Sequence, residues 1–206
     1  MNRVAAVILA GGAARRLDGA RKAEVIVGGK RLIDRVATGL HMCSPLLVSV
    51  GPRGAQIPEG FAKAQAVHDS SEEHEGPLAG LAAAAAFLGA QTTPPELLVS
   101  VAVDTPFLPR DYVARMVAGL GDASAAVAKA DGQDYPTNAI WRLAALRELL
   151  NALGKDSKLG PRAIATRLGA RAVTFDAGTR GNPFANVNTP ADLAALELRA
   201  DNFPEE

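Results

Sequence analysis

Two stretches of the chain, Val4 to Ala10 and Leu97 to Val103, are apolar almost without a break. A strand buried on one face alternates apolar and polar residues, whereas a strand covered on both faces reads as a near-continuous apolar run. These stretches therefore predict central strands of a mostly parallel sheet with helices on both faces. Shorter apolar runs at Leu46 to Val50, Ala64 to His68, Ala125 to Lys129, Thr137 to Arg142 and Ala172 to Phe175 alternate with longer amphipathic stretches, the pattern of an α/β domain. Helical spacing links Leu32, Ile33, Val36 and Leu40, and again Val113, Met116, Val117 and Leu120 in a helix expected from Pro109. Further helices are expected after Gly76-Pro77, over Leu143 to Leu153, over Pro161 to Leu168, and after Thr189-Pro190, which suit an N-cap and a first helical position. Glu24 to Val27 reads as a short strand turned by Gly28-Gly29. No charge run or low-complexity linker divides the 206 residues, so one domain spanning 1–206 is expected.

The first apolar run empties into Gly11-Gly12 and then into Arg15, Arg16 and Lys22. Glycines let backbone N–H groups approach a polyphosphate closely, and the cations offset its charge, so nucleotide binding at this end is the first expectation. Two better-known phosphate loops do not fit. Gly28-Gly29-Lys30 is followed by Arg31 and lacks the first glycine of a Walker loop, and no G-x-G-x-x-G follows the first strand. In open α/β sheets ligands sit beyond the carboxyl ends of the strands, where Gly11-Gly12 and Asp104 would both emerge. A carboxylate facing a polyphosphate is repulsive alone, but a hard cation such as Mg²⁺ bridges the two through oxygen ligands, which makes Asp104 the candidate metal ligand.

Lysine plus arginine and aspartate plus glutamate each total 22, so nothing supports a footprint on nucleic acid, and small-molecule partners are expected instead. Cys43 is the only cysteine, which excludes an intrachain disulfide and a four-cysteine zinc site and fits a cytoplasmic protein. His41, His68 and His74 show no helix-spaced zinc pattern. The start of the chain does not read as a signal peptide, and the alanine-rich stretch Leu78 to Ala90 is too short to span a bilayer, so no membrane partner is expected.

Leu9-Ala10-Gly11-Gly12, Arg16, Lys22, Gly76-Pro77-Leu78-Ala79-Gly80, Asp104-Thr105-Pro106 and Asn186-Val187-Asn188-Thr189-Pro190 follow one another in an order that resembles the molybdenum cofactor guanylyltransferases. The resemblance spans residues 3–197, with 198–206 expected as a flexible tail. It implies a Rossmann-like nucleotidyltransferase fold that uses GTP and Mg²⁺ to place GMP on the terminal phosphate of molybdenum-bound molybdopterin, releasing pyrophosphate. Carried onto this chain, it implies that Leu9, Ala10, Gly11 and Gly12 hold the nucleotide and Lys22 its phosphates. Asp69 and Gly80 would lie near the guanosine, Asp104 would hold magnesium, and Arg16 would add charge. Tyr135, Asn186 and Asn188 would line the pterin side. Molybdenum-insertion proteins and recipient molybdoenzymes would be the downstream partners. The chain departs from the family at Asp18 and Arg21, where members usually carry glycine and aspartate, and at Val103, where a cysteine is common.

Each residue also has a plainer reading. Gly11-Gly12 would serve any tight strand-to-helix turn, and the arginines would suit a solvated face. Asp104 and Asp69 would suit turns, Asn186 and Asn188 the entrance of a helix, and Trp141 the core. Two rival functions share the same residues. One is a cytidylyl- or other nucleotidyltransferase on a related phosphorylated substrate, against which Gly11-Gly12 leans, since cytidylyl relatives usually carry alanine-glycine there. The other is a non-catalytic GTP-binding or cofactor-carrier module.

Overall fold

The computed structural model describes residues 3–11, 21–51, 54–61, 64–69, 76–153 and 159–202. Its centre is a seven-stranded sheet in the order β5-β4-β1-β6-β8-β7-β9. The strands are β1 (Val4–Leu9), β4 (Leu46–Gly51), β5 (Gln65–His68), β6 (Leu97–Ala102), β7 (Ala125–Ala130), β8 (Gln133–Arg142) and β9 (Arg171–Thr174). Strand β8 runs against β6 and β7, and the other neighbouring pairs are parallel. The two apolar runs lie side by side, with Val4 opposite Leu97 and Leu9 opposite Ala102.

Alternate residues of these central strands feed two separate cores. From β1, Ala6 and Ile8 join one core with Leu32, Ile33 and Val36 of α1 (Leu32–Gly39), Val113 and Met116 of α3 (Tyr112–Leu120), and Leu196 of α6 (Pro190–Asn202). Ala5, Val7 and Leu9 join the other, with Leu78, Leu81 and Leu88 of α2 (Pro77–Gly89), Leu143 and Leu146 of α4 (Leu143–Leu153), and Ile164 of α5 (Pro161–Arg167). Each fully buried Leu or Ile contributes roughly 1.5–3 kcal/mol, and burying both faces of one strand doubles what each segment gains. Trp141 is fully buried, its indole N–H donating to Ser100 Oγ at 2.9 Å, so it belongs to the core. Among the described residues no helix is long and apolar enough to cross a membrane.

Three expectations are revised. Glu24 to Val27 is not one strand. Lys22–Glu24 form a single 3-10 turn, and a two-residue strand β2 (Ile26–Val27) then pairs antiparallel with β3 (Lys30–Arg31) across Gly28-Gly29 at φ 53° and 72°. Two consecutive left-handed residues make the tight hairpin turn that glycine favours, and a two-residue arm is too short to enter the main sheet. The helix expected from Pro109 begins at Tyr112, after a turn in which the Tyr112 N–H donates to Pro109 O. The tail expected over 198–206 is helical as far as Asn202, because α6 buries Leu196 and Ala200 while Arg199 lies over the Phe107 ring at 4.3 Å.

Candidate active site

The carboxyl ends of β4, β1 and β6 are stitched together where the first strand ends. Ala10 N–H donates to Ser49 O and Val103 N–H to Leu9 O. Gly11 passes so close to β4 that a Cβ there would stand 3.1 Å from both the Cα and the nitrogen of Gly51. Gly80, on the first turn of α2, is tighter still, since a Cβ would fall 2.2 Å from Ser49 Oγ and 2.7 Å from Ser49 Cβ. Glycine at both positions thus sets how near the first loop and the N-terminus of α2 approach the sheet. Of the expected loop residues, Gly12, Arg15 and Arg16 lie outside the described residues.

Asp104 lies two residues past the end of β6, and its Oδ2 accepts from Lys22 Nζ at 2.8 Å. The same ammonium donates to Asn188 Oδ1 at 2.7 Å. Three segments separated by up to 166 positions therefore meet at one cation. The Lys22 and Asp104 side chains are 18% and 17% exposed, largely screened from bulk water yet still reachable by solvent. A lysine carries three N–H donors, and two are used here among the described residues.

A local mechanism holds each partner. Asn188 precedes α6, and the Asp192 carboxylate accepts from the N–H groups of Asn188 at 2.9 Å and Thr189 at 2.8 Å while Thr189 Oγ1 accepts from Asp192 N–H at 3.2 Å. This reciprocal cap fixes the helix start. The Asn188 backbone N–H first, then the Thr189 hydroxyl and the Thr189 backbone N–H, hold the Asp192 carboxyl below its ordinary range. Val187 is buried between exposed Asn186 and Asn188, and its N–H donates to Asp104 O at 3.2 Å. The two asparagines accordingly share the outer side of an extended segment.

Asp104 is supported from below by Asn138, which sequence reasoning missed. The pairing of β8 with β6 stops at Ala139 opposite Ser100, and on the β7 side Pro136, Thr137 and Asn138 are looped out between two registers. Pro136 has no N–H for a ladder, so a break falls naturally here. The fully buried Asn138 side chain replaces the missing bonds, its Oδ1 accepting from Ala102 N–H at 3.0 Å and its Nδ2 donating to Thr105 Oγ1 at 3.1 Å. Thr105 Oγ1 in turn donates to Ala102 O at 2.8 Å. Asn138→Ala is expected to leave buried polar groups unpaired, lowering stability by about 2 kcal/mol and Tm by roughly 4–8 °C, measured by thermal unfolding.

Asp69 follows β5, with its N–H donating to Gly51 O at 3.0 Å. Its carboxyl is pushed above the ordinary value chiefly by burial, the His68 charge opposing, and its Oδ1 is buried without a hydrogen bond among the described residues. Tyr135 stands apart from the Lys22 cluster in what it touches. Its ring lies 5.0 Å from that of Phe184, and its hydroxyl accepts from Asn182 Nδ2 at 2.7 Å. It thereby braces the segment leading to Asn186. Arg21 donates to Gln56 O at 2.6 Å and Val103 is buried in the core, so neither of these two family departures adds a group to the cluster, while the third, Asp18, lies outside the described residues.

Similarity to known proteins is an independent line. Residues 6–173 match the family described as the MobA-like NTP transferase domain. A molybdenum cofactor guanylyltransferase of Rhodobacter capsulatus is 39% identical over 200 residues, covering 96% of each chain. The enzyme of that name from Acidiphilium cryptum (strain JF-5) is 37% identical over 194 residues, covering 93% of each. This chain belongs to the molybdenum cofactor guanylyltransferase family. The family's fold is also met in solved structures. The molybdopterin-guanine dinucleotide biosynthesis protein A of Archaeoglobus fulgidus superposes with a TM-score of 0.69 at 22% identity, covering 97% of this chain and 99% of that one. The 2-C-methyl-D-erythritol 4-phosphate cytidylyltransferase of Thermus thermophilus gives 0.67 at 22% identity with the same coverage, a likeness of fold alone.

Proposed function

We propose that this chain transfers GMP from GTP to the terminal phosphate of molybdenum-bound molybdopterin. The observation that carries this reading is the convergence of Lys22, Asp104 and Asn188 beyond the carboxyl ends of β1 and β6. A phosphate oxygen of the pterin attacks the α-phosphorus of GTP, a new P–O bond forms, and the bond to the β-phosphate breaks to release pyrophosphate. No protein nucleophile is required, and positioning and charge supply the main terms. Two like charges about 4 Å apart repel by roughly 4 kcal/mol at an effective dielectric near 20, so cations must stand where the two phosphates meet. Lys22, joined by Arg16 from the first loop, supplies them from the protein.

Leu9, Ala10, Gly11 and Gly12 would cradle the nucleotide, with Gly80 letting α2 close behind it. The orphan Oδ1 of Asp69 suits the N–H edge of a guanine. Asn186 and Asn188 would face the pterin, with Tyr135 holding their segment in place. A solvent-reachable carboxylate at the phosphate end also suits Mg²⁺, which is commonly held by one or two carboxylates plus substrate phosphates, so Asp104 would be its protein ligand. The ion, when bound, would screen charge on the triphosphate. The reaction belongs in the cytoplasm, upstream of insertion proteins and recipient molybdoenzymes. The two sequence relatives named above, at 37% and 39% identity, are both guanylyltransferases, which favours the guanylyl over the cytidylyl branch.

Incubation with GTP, magnesium and molybdenum-loaded molybdopterin should yield one dinucleotide and one pyrophosphate per turnover, followed by mass spectrometry. GTP binding without either product would assign the chain to the carrier class. Lys22→Ala should raise KM for GTP roughly 10- to 100-fold through loss of a charged hydrogen bond. An unchanged KM would remove Lys22 from the triphosphate.

A further inference from the structure

Lys22 stands at one end of a short unit whose other end is fastened to α6. Val25 N–H donates to Lys22 O at 3.2 Å and Leu32 N–H to Val25 O at 2.9 Å, so the 3-10 turn and the base of the β2–β3 hairpin are closed in succession. Ile26 pairs with Arg31 and Val27 with Lys30, and Ala23 and Val27 are buried. The stretch from Lys22 to the tip at Gly28 is therefore held at both of its turns and along the hairpin. A shift of the tip is felt at Lys22.

That tip is gripped from two helices. Gly28 N–H donates to Glu197 Oε2 of α6 at 2.7 Å, while Arg35 of α1 donates from Nε to Val27 O at 2.7 Å and from Nη2 to Gly28 O at 3.1 Å. A carboxylate accepting from a backbone N–H makes a short, strong hydrogen bond. Gly28 also lies so near α6 that a Cβ there would stand 2.4 Å from Ala200 Cβ. Glu197 sits two turns, about 10 Å, along α6 from Pro190. At the start of the same helix Asn188 Oδ1 accepts from Lys22 Nζ at 2.7 Å. Hairpin and helix are thus joined at two points, with the lysine at one and the glutamate at the other.

We propose, on the reading that Lys22 serves the GTP triphosphate, that Glu197 is a positioning residue for the reaction: by holding the hairpin tip on α6 it sets where the Lys22 ammonium stands between Asp104 and Asn188. The carboxylate touches neither Lys22 nor Asp104 and acts through the hairpin. Its loss leaves the tip tied to α1 by Arg35 while its bond to α6 is gone, so the lysine turn drifts relative to Asn188. Binding of GTP then weakens, and the groups at the reacting phosphates are unchanged.

The test uses the full chain and two readouts, amine labelling and steady-state kinetics. Glu197→Ala puts a stronger helix former at a half-buried position and should melt within about 4 °C of the parent. Without nucleotide, its Lys22 amine should react with acetic anhydride about threefold faster or more, relative to Lys129, as local opening becomes more frequent, measured by mass spectrometry of proteolytic fragments. KM for GTP should rise roughly three- to tenfold with kcat within about twofold. Glu197→Gln keeps an oxygen for Gly28 N–H and should stay close to the parent in both readouts. Added to Lys22→Ala, Glu197→Ala should change KM no further, because its effect runs through the lysine. A further rise of KM in that background would overturn the proposal by showing a general loosening of the fold. Lys22 labelling unchanged by Glu197→Ala, or Glu197→Gln behaving like Glu197→Ala, would overturn it too. Faster labelling with an unchanged KM would leave the hold of Glu197 on Lys22 standing and instead remove Lys22 from the triphosphate.

Discussion

Asp104→Asn is expected to reduce pyrophosphate release by on the order of 10²- to 10³-fold while leaving the fold intact, the size of loss seen when one preorganised electrostatic group is removed from an active site. The substitution keeps the shape of the side chain and an oxygen that accepts from Lys22 Nζ, which lies 2.8 Å from the carboxylate. It removes the negative charge alone. Support from Asn138 through Ala102 and Thr105 is untouched, so the loop should stay where it is. Turnover followed at saturating GTP beside a thermal melt separates the two effects. Unchanged turnover would sink the assignment of Asp104 to the reacting phosphates, and a large fall in Tm would mean that the charge serves the fold.

Gly80→Ala should cost about 3 kcal/mol and lower Tm by roughly 6–12 °C, at the upper end of what forcing one methyl group into a packed interior costs. Rotation of the Ser49 hydroxyl would relieve the 2.2 Å approach to Oγ, but the 2.7 Å approach to Ser49 Cβ is set by two backbones. The N-terminus of α2 must then move off β4, opening the space that the first loop borders. Ser49→Gly in the same chain removes both clashing atoms and should restore most of the lost stability. A melt of the single variant that matched the parent would contradict the close approach.

What the sequence reveals about this site follows from how local each signal is. Asp104 is legible because it sits at the end of a nearly unbroken apolar run, where an α/β sheet presents its ligands. Thr189-Pro190-Ala191-Asp192 announces a helix start by residue type alone, and the cap bonds lie where that pattern puts them. Lys22 is visible as a cation after a glycine loop, though nothing local shows that Asn188 would share it.

Asn138 is hidden for a physical reason. It looks like one polar residue in a strand, and its partners Ala102 and Thr105 lie 36 and 33 positions away. Its role exists only because Pro136 breaks the ladder beside it. The family resemblance offers Tyr135 as a pterin-side residue, and its contacts with Asn182 and Phe184 give it a bracing role that spacing cannot express. The helical extent of α6 escapes the sequence because only two of its last residues, Leu196 and Ala200, are buried, too few to show as an apolar face.

The most direct test of the central claim is pyrophosphate release with magnesium and molybdenum-loaded molybdopterin, comparing GTP, CTP and ATP, with Asp104→Asn as the control. Release with GTP, little with CTP or ATP, and loss in the variant is the predicted result. Preference for CTP, or tight GTP binding with no pyrophosphate released, would contradict guanylyl transfer by this chain.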